Sequence, residues 1–118
     1  MKKTNVLIVD DNVSVRDILA TYVELKGYNP MVRKNYDFVL SKLMEETLLA
    51  GFFDYECPPN DAPEWFENNG VFIPQERRIL MSGGNKYESS GIEGYLLRKP
   101  FIPGTVNDLL NEIIRLGD

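Results

Sequence analysis

The sequence predicts an α/β fold in which helices cover both faces of a five-stranded parallel sheet. Short apolar runs rich in β-branched residues, such as Asn5–Val9, are typical of strands buried on both faces of such a sheet. Segments with apolar residues at helical spacing alternate with these runs. Because right-handed crossovers join alternating strands and helices, the helices wind around the sheet on both sides. A chain of 118 residues fits one domain, so we expect a single domain spanning residues 1–118.

The first strand should be central, because its apolar run is continuous and β-branched. The other predicted strands are residues 30–33, 48–53, 78–81 and 94–97. The first helix is predicted to begin after Asn12 or Ser14 as the N-cap and to stop at Gly27, because these residue types favour helix ends.

The remaining helices differ in the strength of their patterns. Apolar residues at i, i+3, i+4, i+7 and i+8 predict a second helix over residues 36–44. The last helix is predicted over residues 105–116, with Thr105 as a cap-like residue before an apolar stripe. Helices three and four are predicted to be short, because residues 57–70 are rich in Pro and Asn and residues 82–91 are polar and rich in Gly.

The composition argues against several classes of function. A net charge of −5 gives no basic face for a nucleic-acid backbone, so we expect no direct contact with nucleic acid. With no histidine and Cys57 as its single cysteine, the chain lacks the usual zinc-ligand sets and cannot form an internal disulfide. We therefore expect a reducing, cytoplasmic setting. No apolar stretch approaches membrane-spanning length, so we expect no membrane association.

Polar residues follow four of the five predicted strands. In chain order they are Asp10 and Asp11 after the first strand, Asp54 after the third, Ser82 after the fourth and Lys99 just beyond the fifth. In an open α/β sheet, ligands bind outside the carboxyl ends of the strands. We therefore expect all five polar groups to converge on one edge of the sheet.

Three carboxylates at one edge repel one another unless a cation joins them. Mg²⁺ is the natural partner, because it is a hard cation that prefers oxygen ligands and keeps several waters. One carboxylate could then act as a nucleophile, while the metal and Lys99 neutralise charge on a phosphoryl group and a hydroxyl donates a hydrogen bond to it. The pattern predicts a site for phosphoryl transfer.

The same residues resemble those of the receiver domains of two-component response regulators. The resemblance rests on Val-Leu-Ile-Val-Asp-Asp-Asn at residues 6–12, on Asp54 with Pro58 four residues later, on Ser82 closing an apolar strand, and on Lys-Pro-Phe at residues 99–101. Order and spacing agree across nearly the whole chain. The resemblance implies a doubly wound, flavodoxin-like fold, as in CheY, with strand order 2-1-3-4-5.

Carried over by position, the resemblance assigns the chemistry to three residues. It implies that Asp54 is the phosphoacceptor, that Ser82 is the switch hydroxyl and that Lys99 is the cation paired with the phosphoryl group. It also implies a cis peptide bond between Lys99 and Pro100, which is uncommon even before proline.

The resemblance also implies a ligand set for Mg²⁺. Asp11 would bind the metal directly, and Asp10 would bind it largely through water. Asp54 and the main-chain carbonyl of Glu56 would complete the protein's share of the ligands.

Three features depart from the family pattern. Ala62 and Pro63 stand where the family usually has Gly in the loop before the third helix, and the stretch from Ser82 to Lys99 is several residues shorter than usual. Leu96 occupies the position of an aromatic residue that couples phosphorylation to the surface of the last strand. We therefore hypothesise that any switch is read mainly through the loop after Ser82.

The resemblance implies a signalling module and not a turnover enzyme. Its chemistry would be Mg²⁺-dependent self-phosphorylation and slow self-dephosphorylation, with a histidine kinase or histidine phosphotransfer protein as donor and protein contacts as output. The alternative is a receiver-like interaction module that is not phosphorylated. A phosphatase of the haloacid dehalogenase type is disfavoured, because it needs Asp-x-Asp where this chain has Asp10-Asp11-Asn12.

Four residues have plainer interpretations. Asp37 lies in an apolar run that superficially resembles a strand leading to an acceptor, but helical spacing puts it in the first turn of the second helix. Cys57 is interpreted as a packed or loop thiol. Trp65 and Phe66 are interpreted as core residues and not as a partner surface.

Overall fold

The computed structural model describes residues 5–36, 48–57, 60–69, 77–83 and 95–117, and it contains the predicted five-stranded parallel sheet. The strands are β1 (Asn5–Val9), β2 (Asn29–Arg33), β3 (Leu48–Asp54), β4 (Arg78–Ser82) and β5 (Tyr95–Arg98). Their order is β2-β1-β3-β4-β5, which confirms the predicted order. β1 lies inside the sheet, between β2 and β3, although β3 occupies the middle.

Each strand lies within one residue of its predicted bounds, but the differences at the carboxyl ends matter. β3 continues to Asp54, which pairs with Met81, and β4 continues to Ser82, which pairs with Arg98. Both polar residues are therefore held by the parallel ladder and do not belong to the loops that follow. Their main-chain positions are set by the neighbouring strands.

The first helix, α1, spans Val13–Leu25 and begins and ends as the sequence predicts. The Asn12 side chain is the N-cap, because its Oδ1 accepts hydrogen bonds from the main-chain N–H groups of Ser14 at 2.9 Å and Val15 at 3.2 Å. Gly27 follows the helix with a φ of 85°, a conformation that favours glycine over residues with a side chain. Of the two N-cap candidates, the structure selects Asn12.

Two further helices follow, α2 (Ala62–Asn69) and α3 (Pro103–Gly117). The short third helix is confirmed by the eight residues of α2. The predicted start of the last helix at Thr105 is wrong, because α3 begins two residues earlier with Pro103. Proline fits the first helical position, where its missing N–H would have no partner within the helix. Thr105 instead donates its main-chain N–H to the carbonyl of Ile102 at 3.1 Å.

Several predictions fall outside the described residues. These are the second helix with Asp37, the residue Pro58, and most of the loop between Ser82 and Lys99, including the shortened fourth helix. Between β3 and α2, two-residue strands at Glu56–Cys57 and Asn60–Asp61 pair in a small antiparallel ladder. None of the helices in the described ranges combines the length and hydropathy needed to span a membrane.

Apolar clusters cover the two faces of the sheet. On one face, strand residues such as Phe52 and Ile79 pack with Leu19 of α1 and Leu110 of α3, and all four are buried. Burial of side chains of this size contributes roughly 1.5–3 kcal/mol each to folding, relative to leaving them exposed. This cluster holds α1 and α3 against the sheet, so it fixes the helix that follows Asp10 and Asp11.

The opposite face is aromatic. Phe53 of β3 packs with Tyr36 and with Trp65 and Phe66 of α2, and all four side chains are buried. The rings of Phe53 and Phe66 meet edge to face with centroids 5.0 Å apart. The interpretation of Trp65 and Phe66 as core residues is confirmed, and their burial explains why a short helix docks firmly on this face.

The difference in burial between Leu19 and Leu25 predicts that a leucine-to-alanine substitution changes stability very differently at these two positions of α1. Leu19→Ala should lower the free energy of unfolding by about 2–5 kcal/mol, because it leaves a cavity under the helix. Leu25→Ala, at a side chain that is 74% exposed, should change it by less than about 1 kcal/mol. Urea unfolding of both variants checks this, and equal losses would contradict the packing described for α1.

Candidate functional site

The carboxyl edge of the sheet brings together the three predicted aspartates. Asp10 and Asp11 follow β1, and Asp54 ends β3 in the neighbouring position. One carboxylate oxygen from each lies within 4.8 Å of those of the other two. Asp10 and Asp54 are buried, whereas Asp11 is exposed to solvent. The predicted convergence of the acidic groups is therefore observed.

Hydrogen bonds hold both the side chain and the main chain of Asp10. Its Oδ1 accepts a hydrogen bond from the main-chain N–H of Asn12 at 2.8 Å, so the turn into α1 orients the carboxylate. The Arg16 guanidinium donates to the main-chain carbonyl of Asp10 at 2.7 Å. The main-chain N–H of Asp10 donates to the carbonyl of Arg33 at 3.1 Å, which extends the β1–β2 pairing by one residue. The sequence did not single out Arg16, because an arginine on a helix surface carries no signal of its own.

Lys99 reaches the same edge from the end of β5. Its main-chain N–H donates to the carbonyl of Ser82 at 2.8 Å, and its peptide bond to Pro100 is cis, as predicted. The Nζ atom lies 2.6 Å from Oδ2 of Asp10 and 3.1 Å from Oδ1 of Asp54. The lysine thus bridges the two buried carboxylates, and it also donates a hydrogen bond to Asp54.

The surroundings of Asp54 raise the pKa of its carboxyl from 3.8 to about 6. Burial is the largest cause, because it disfavours the charged form, and the negative charge of Asp10 acts in the same direction. The charge and hydrogen bond of Lys99 oppose this shift without cancelling it. For Lys99, burial lowers the pKa, but its contacts with Asp10 and Asp54 outweigh burial and leave the pKa above its usual value.

The donor set fits a hard divalent cation. Three carboxylates converge, and Lys99 alone supplies less positive charge than they carry as ions. Oδ2 of Asp10 is buried and, among the described residues, has the ion pair with Lys99 but no well-aligned hydrogen bond. Such an atom is suited to accept a hydrogen bond from a metal-bound water. The exposed Asp11 leaves one side of the cluster open to solvent.

The other predicted site residues lie at the same edge. Ser82 is the buried last residue of β4, and its main-chain pairing with β5 places it beside the strand that leads to Lys99. Glu56 lies two residues beyond Asp54, in the first strand of the small ladder. The roles of Ser82 as a switch hydroxyl and of the Glu56 carbonyl as a metal ligand stay predictions.

One residue at the site was missed at the sequence level. Tyr36 donates its hydroxyl to the main-chain carbonyl of Asp54 at 2.8 Å. In the sequence, Tyr36 reads as the first apolar position of the predicted second helix. A hydrogen bond across 18 residues to a main-chain atom leaves no local pattern that could have revealed it.

Leu96 and Tyr95 lie on opposite sides of β5. Leu96, at the position where the family pattern has an aromatic residue, is 50% exposed, whereas Tyr95 packs against the aliphatic cluster beneath α1 and α3. An aromatic side chain is therefore present on the last strand, but on the side opposite to that of Leu96.

Comparison with known proteins identifies the fold. No family model matches the chain, and no curated protein matches it significantly. Among solved structures, the chemotaxis response regulator CheY4 of Vibrio cholerae is similar over 95% of this chain and 99% of its own, with 20% identity and a TM-score of 0.75. A CheY-like receiver domain protein from Methanospirillum hungatei JF-1 is similar over 98% and 100%, respectively, with 23% identity and a TM-score of 0.74.

A third similar structure is the signal receiver domain of an HD domain-containing protein from Pseudomonas fluorescens Pf-5. It covers 99% of this chain and 90% of its own length, with 16% identity and a TM-score of 0.81. The chain thus has the fold of CheY-like response-regulator receiver domains over nearly its whole length. Fold alone does not establish function, which depends on the residues of the site.

The raised pKa of Asp54 predicts a pH-dependent gain of stability in Asp54→Asn. Because the folded chain binds this proton more tightly than the unfolded chain, ionisation of Asp54 lowers stability as the pH rises from about 4 through about 6. In the presence of a chelator, Asp54→Asn should therefore raise the free energy of unfolding above pH 7, by an amount on the order of 1–2 kcal/mol after solvent screening, and by almost nothing near pH 4.

Denaturant unfolding at several pH values tests this. The control is Asp108→Asn, which removes an exposed carboxylate on α3 and should show no comparable pH-dependent gain. A loss of stability in Asp54→Asn at pH 7.5 would mean that the ion pair with Lys99 outweighs the burial of Asp54.

Proposed function

We propose that this chain is a phosphoacceptor receiver domain of a two-component or phosphorelay system, and that Asp54 accepts the phosphoryl group. The observation that carries the proposal is the convergence of Asp54 with Asp10 and Asp11, together with the contact of Lys99 with both Asp54 and Asp10. These residues lie in a chain that has the fold of response-regulator receiver domains. A carboxylate nucleophile that contacts a cation and lies close to further acidic groups able to hold a metal is suited to phosphoryl transfer.

The reaction would be an in-line displacement at phosphorus. A carboxylate oxygen of Asp54 forms a bond to the phosphorus atom, while the bond between phosphorus and the donor breaks and its electron pair leaves with the donor. Lys99, already 3.1 Å from Asp54, neutralises charge that builds up on the phosphoryl oxygens. The buried hydroxyl of Ser82 donates a hydrogen bond to another phosphoryl oxygen.

Mg²⁺ is the proposed cofactor. Asp10, Asp11, Asp54 and the main-chain carbonyl of Glu56 would hold it, and when bound it supplies positive charge that offsets the charges of acceptor and phosphoryl group. Asp10 and Asn12 act together here, because the N–H of Asn12 fixes one oxygen of Asp10 and leaves the other for the site.

The phosphoryl donor would be a histidine kinase or a histidine phosphotransfer protein. The chain contains no histidine, so a donor histidine must come from a partner. We place the chain in the cytoplasm, because donors of these classes act there and because a single cysteine fits a reducing compartment. The chemistry consists of self-phosphorylation and slow self-dephosphorylation, which makes the chain a signalling module and not a turnover enzyme.

One similar structure bears directly on this chemistry. It is the beryllofluoride-activated NtrC4 receiver domain dimer, similar over 97% of this chain with 22% identity and a TM-score of 0.78. Its activation by beryllofluoride supports the use of the same reagent on this chain. An interaction module without phosphorylation is the weaker alternative, because the carboxylates and the lysine are all in place.

The acceptor assignment predicts a single phosphoryl adduct. After incubation with a small phosphodonor and Mg²⁺, intact-protein mass spectrometry should detect one adduct on the native chain and none on Asp54→Asn. Asp17→Asn alters an exposed aspartate on α1, and Asp37→Asn alters the aspartate in the run that superficially resembles a strand leading to an acceptor, so both should keep the adduct. No adduct on the native chain would favour the interaction module.

The metal assignment predicts that Asp10→Asn and Asp11→Asn each weaken Mg²⁺ binding by at least about tenfold, because each removes one of the converging carboxylates. Isothermal titration calorimetry with MgCl₂ measures the affinity directly. Asp17→Asn again serves as the control, since it removes the same charge from the exposed face of α1. Equal affinities in all four proteins would place the metal elsewhere or remove it from the proposal.

A further inference from the structure

Tyr36 contacts the main chain of Asp54. It lies three residues beyond β2, and its side chain is only 3% exposed. The hydroxyl donates a buried hydrogen bond of 2.8 Å to the carbonyl of Asp54. The acceptor of this bond is a main-chain atom of Asp54 and not its carboxylate. Tyr36 therefore acts on the acceptor through its main chain.

The ring of Tyr36 is held by the aromatic cluster beneath α2. It stacks on Trp65 with centroids 5.2 Å apart, and it lies almost parallel to Phe53 at 6.5 Å. Phe53 is the residue before Asp54, so the ring and the hydroxyl of Tyr36 contact two successive residues of β3. Aromatic packing of this kind restricts the rotation of the ring and fixes the direction of its hydroxyl.

The peptide bond after Asp54 is held at both of its polar groups, because its carbonyl accepts from Tyr36 and its N–H is bonded to the neighbouring strand. Asp54 is the last residue of β3, and beyond it the N–H of Tyr55 donates to the carbonyl of Met81 at 2.8 Å. An aspartate side chain is short, so a shift of its main chain also shifts its carboxylate. A contact that holds the Asp54 carbonyl therefore also limits where the nucleophilic oxygen can lie relative to Lys99.

We propose that Tyr36 is a positioning residue for the phosphoacceptor. Together with the hydrogen bond from Tyr55 to Met81, its hydroxyl fixes the peptide plane after Asp54, and this keeps the carboxylate at the distance from Lys99 that the reaction needs. The inference rests on the proposed function of Asp54 and adds a residue that the family resemblance did not mark. Small displacements of a reacting group lower rates steeply, so loss of this one hydrogen bond should be measurable as slower chemistry.

Tyr36→Phe tests the proposal, because it removes the hydroxyl and keeps the ring in the stack. Phosphorylation of the native chain and the variant is followed by intact-protein mass spectrometry at saturating Mg²⁺ and saturating small phosphodonor, well below the unfolding temperature of both. We expect the variant to react roughly three- to ten-fold more slowly. Tyr22→Phe, which removes the same atom from a tyrosine on α1, should react at the native rate.

A second variant separates positioning from stability. Trp65→Phe keeps the hydroxyl of Tyr36 but shrinks the ring on which it stacks, and we expect a smaller slowdown. This variant decides the question if Tyr36→Phe does not fold. In addition, the carbonyl ¹³C chemical shift of Asp54 should change in Tyr36→Phe and stay unchanged in Tyr22→Phe.

The outcomes distinguish the two proposals. If the native chain forms the adduct and folded Tyr36→Phe reacts at the same rate, with only its stability reduced, Tyr36 is merely structural and this inference is overturned. If Tyr36→Phe does not fold and Trp65→Phe reacts at the native rate, the inference is also overturned. If the native chain forms no adduct, the proposed function fails first and the inference fails with it.

Discussion

The position of the Lys99 ammonium between two buried carboxylates is the constraint on which the site depends. Asp10 and Asp54 stand side by side at the edge of the sheet, and each would disfavour the charge of the other without a cation. Lys99 reaches both only because β5 pairs with β4 and carries it to the same edge. Even so, the pKa of Asp54 stays raised, so the cluster still favours additional positive charge. A divalent cation is the group that these carboxylates are suited to bind.

The two faces of the sheet contribute to the site in different ways. The aliphatic cluster beneath α1 and α3 holds the turn that contains Asn12, and this turn orients the carboxylate of Asp10. The aromatic cluster beneath α2 supports Phe53 and Tyr36, and through them the main chain of Asp54. Each buried aspartate is thus positioned from a separate part of the core. The distance between the two is set by β1 and β3, which are adjacent in the sheet.

The last strand carries the clearest departure from the family pattern. Leu96 is half exposed where the pattern has an aromatic residue, and Tyr95 packs on the other side of the strand. Because successive residues of a strand face opposite sides, an aromatic residue displaced by one position cannot occupy the same place. Instead, Tyr36, which donates to the main chain of Asp54, packs against Trp65 in the aromatic cluster beneath α2, so Asp54 is connected to the core on that side.

The sequence alone determined the alternation of strands and helices, the strand order implied by the resemblance, and the set of charged residues at the strand ends. These features rest on local patterns, namely apolar runs, helical spacing, capping residues and the Lys-Pro pair, which can be read without knowing what lies nearby in space. The start of α3 at Pro103 differed by two residues, because proline at a first helical position competes with Thr105 as a starting signal. Only the tertiary structure decided that Lys99 bridges both carboxylates and that Tyr36 holds the main chain of Asp54. Both contacts join residues far apart in the chain, so they depend on how strands and clusters pack and leave no periodic pattern in the sequence.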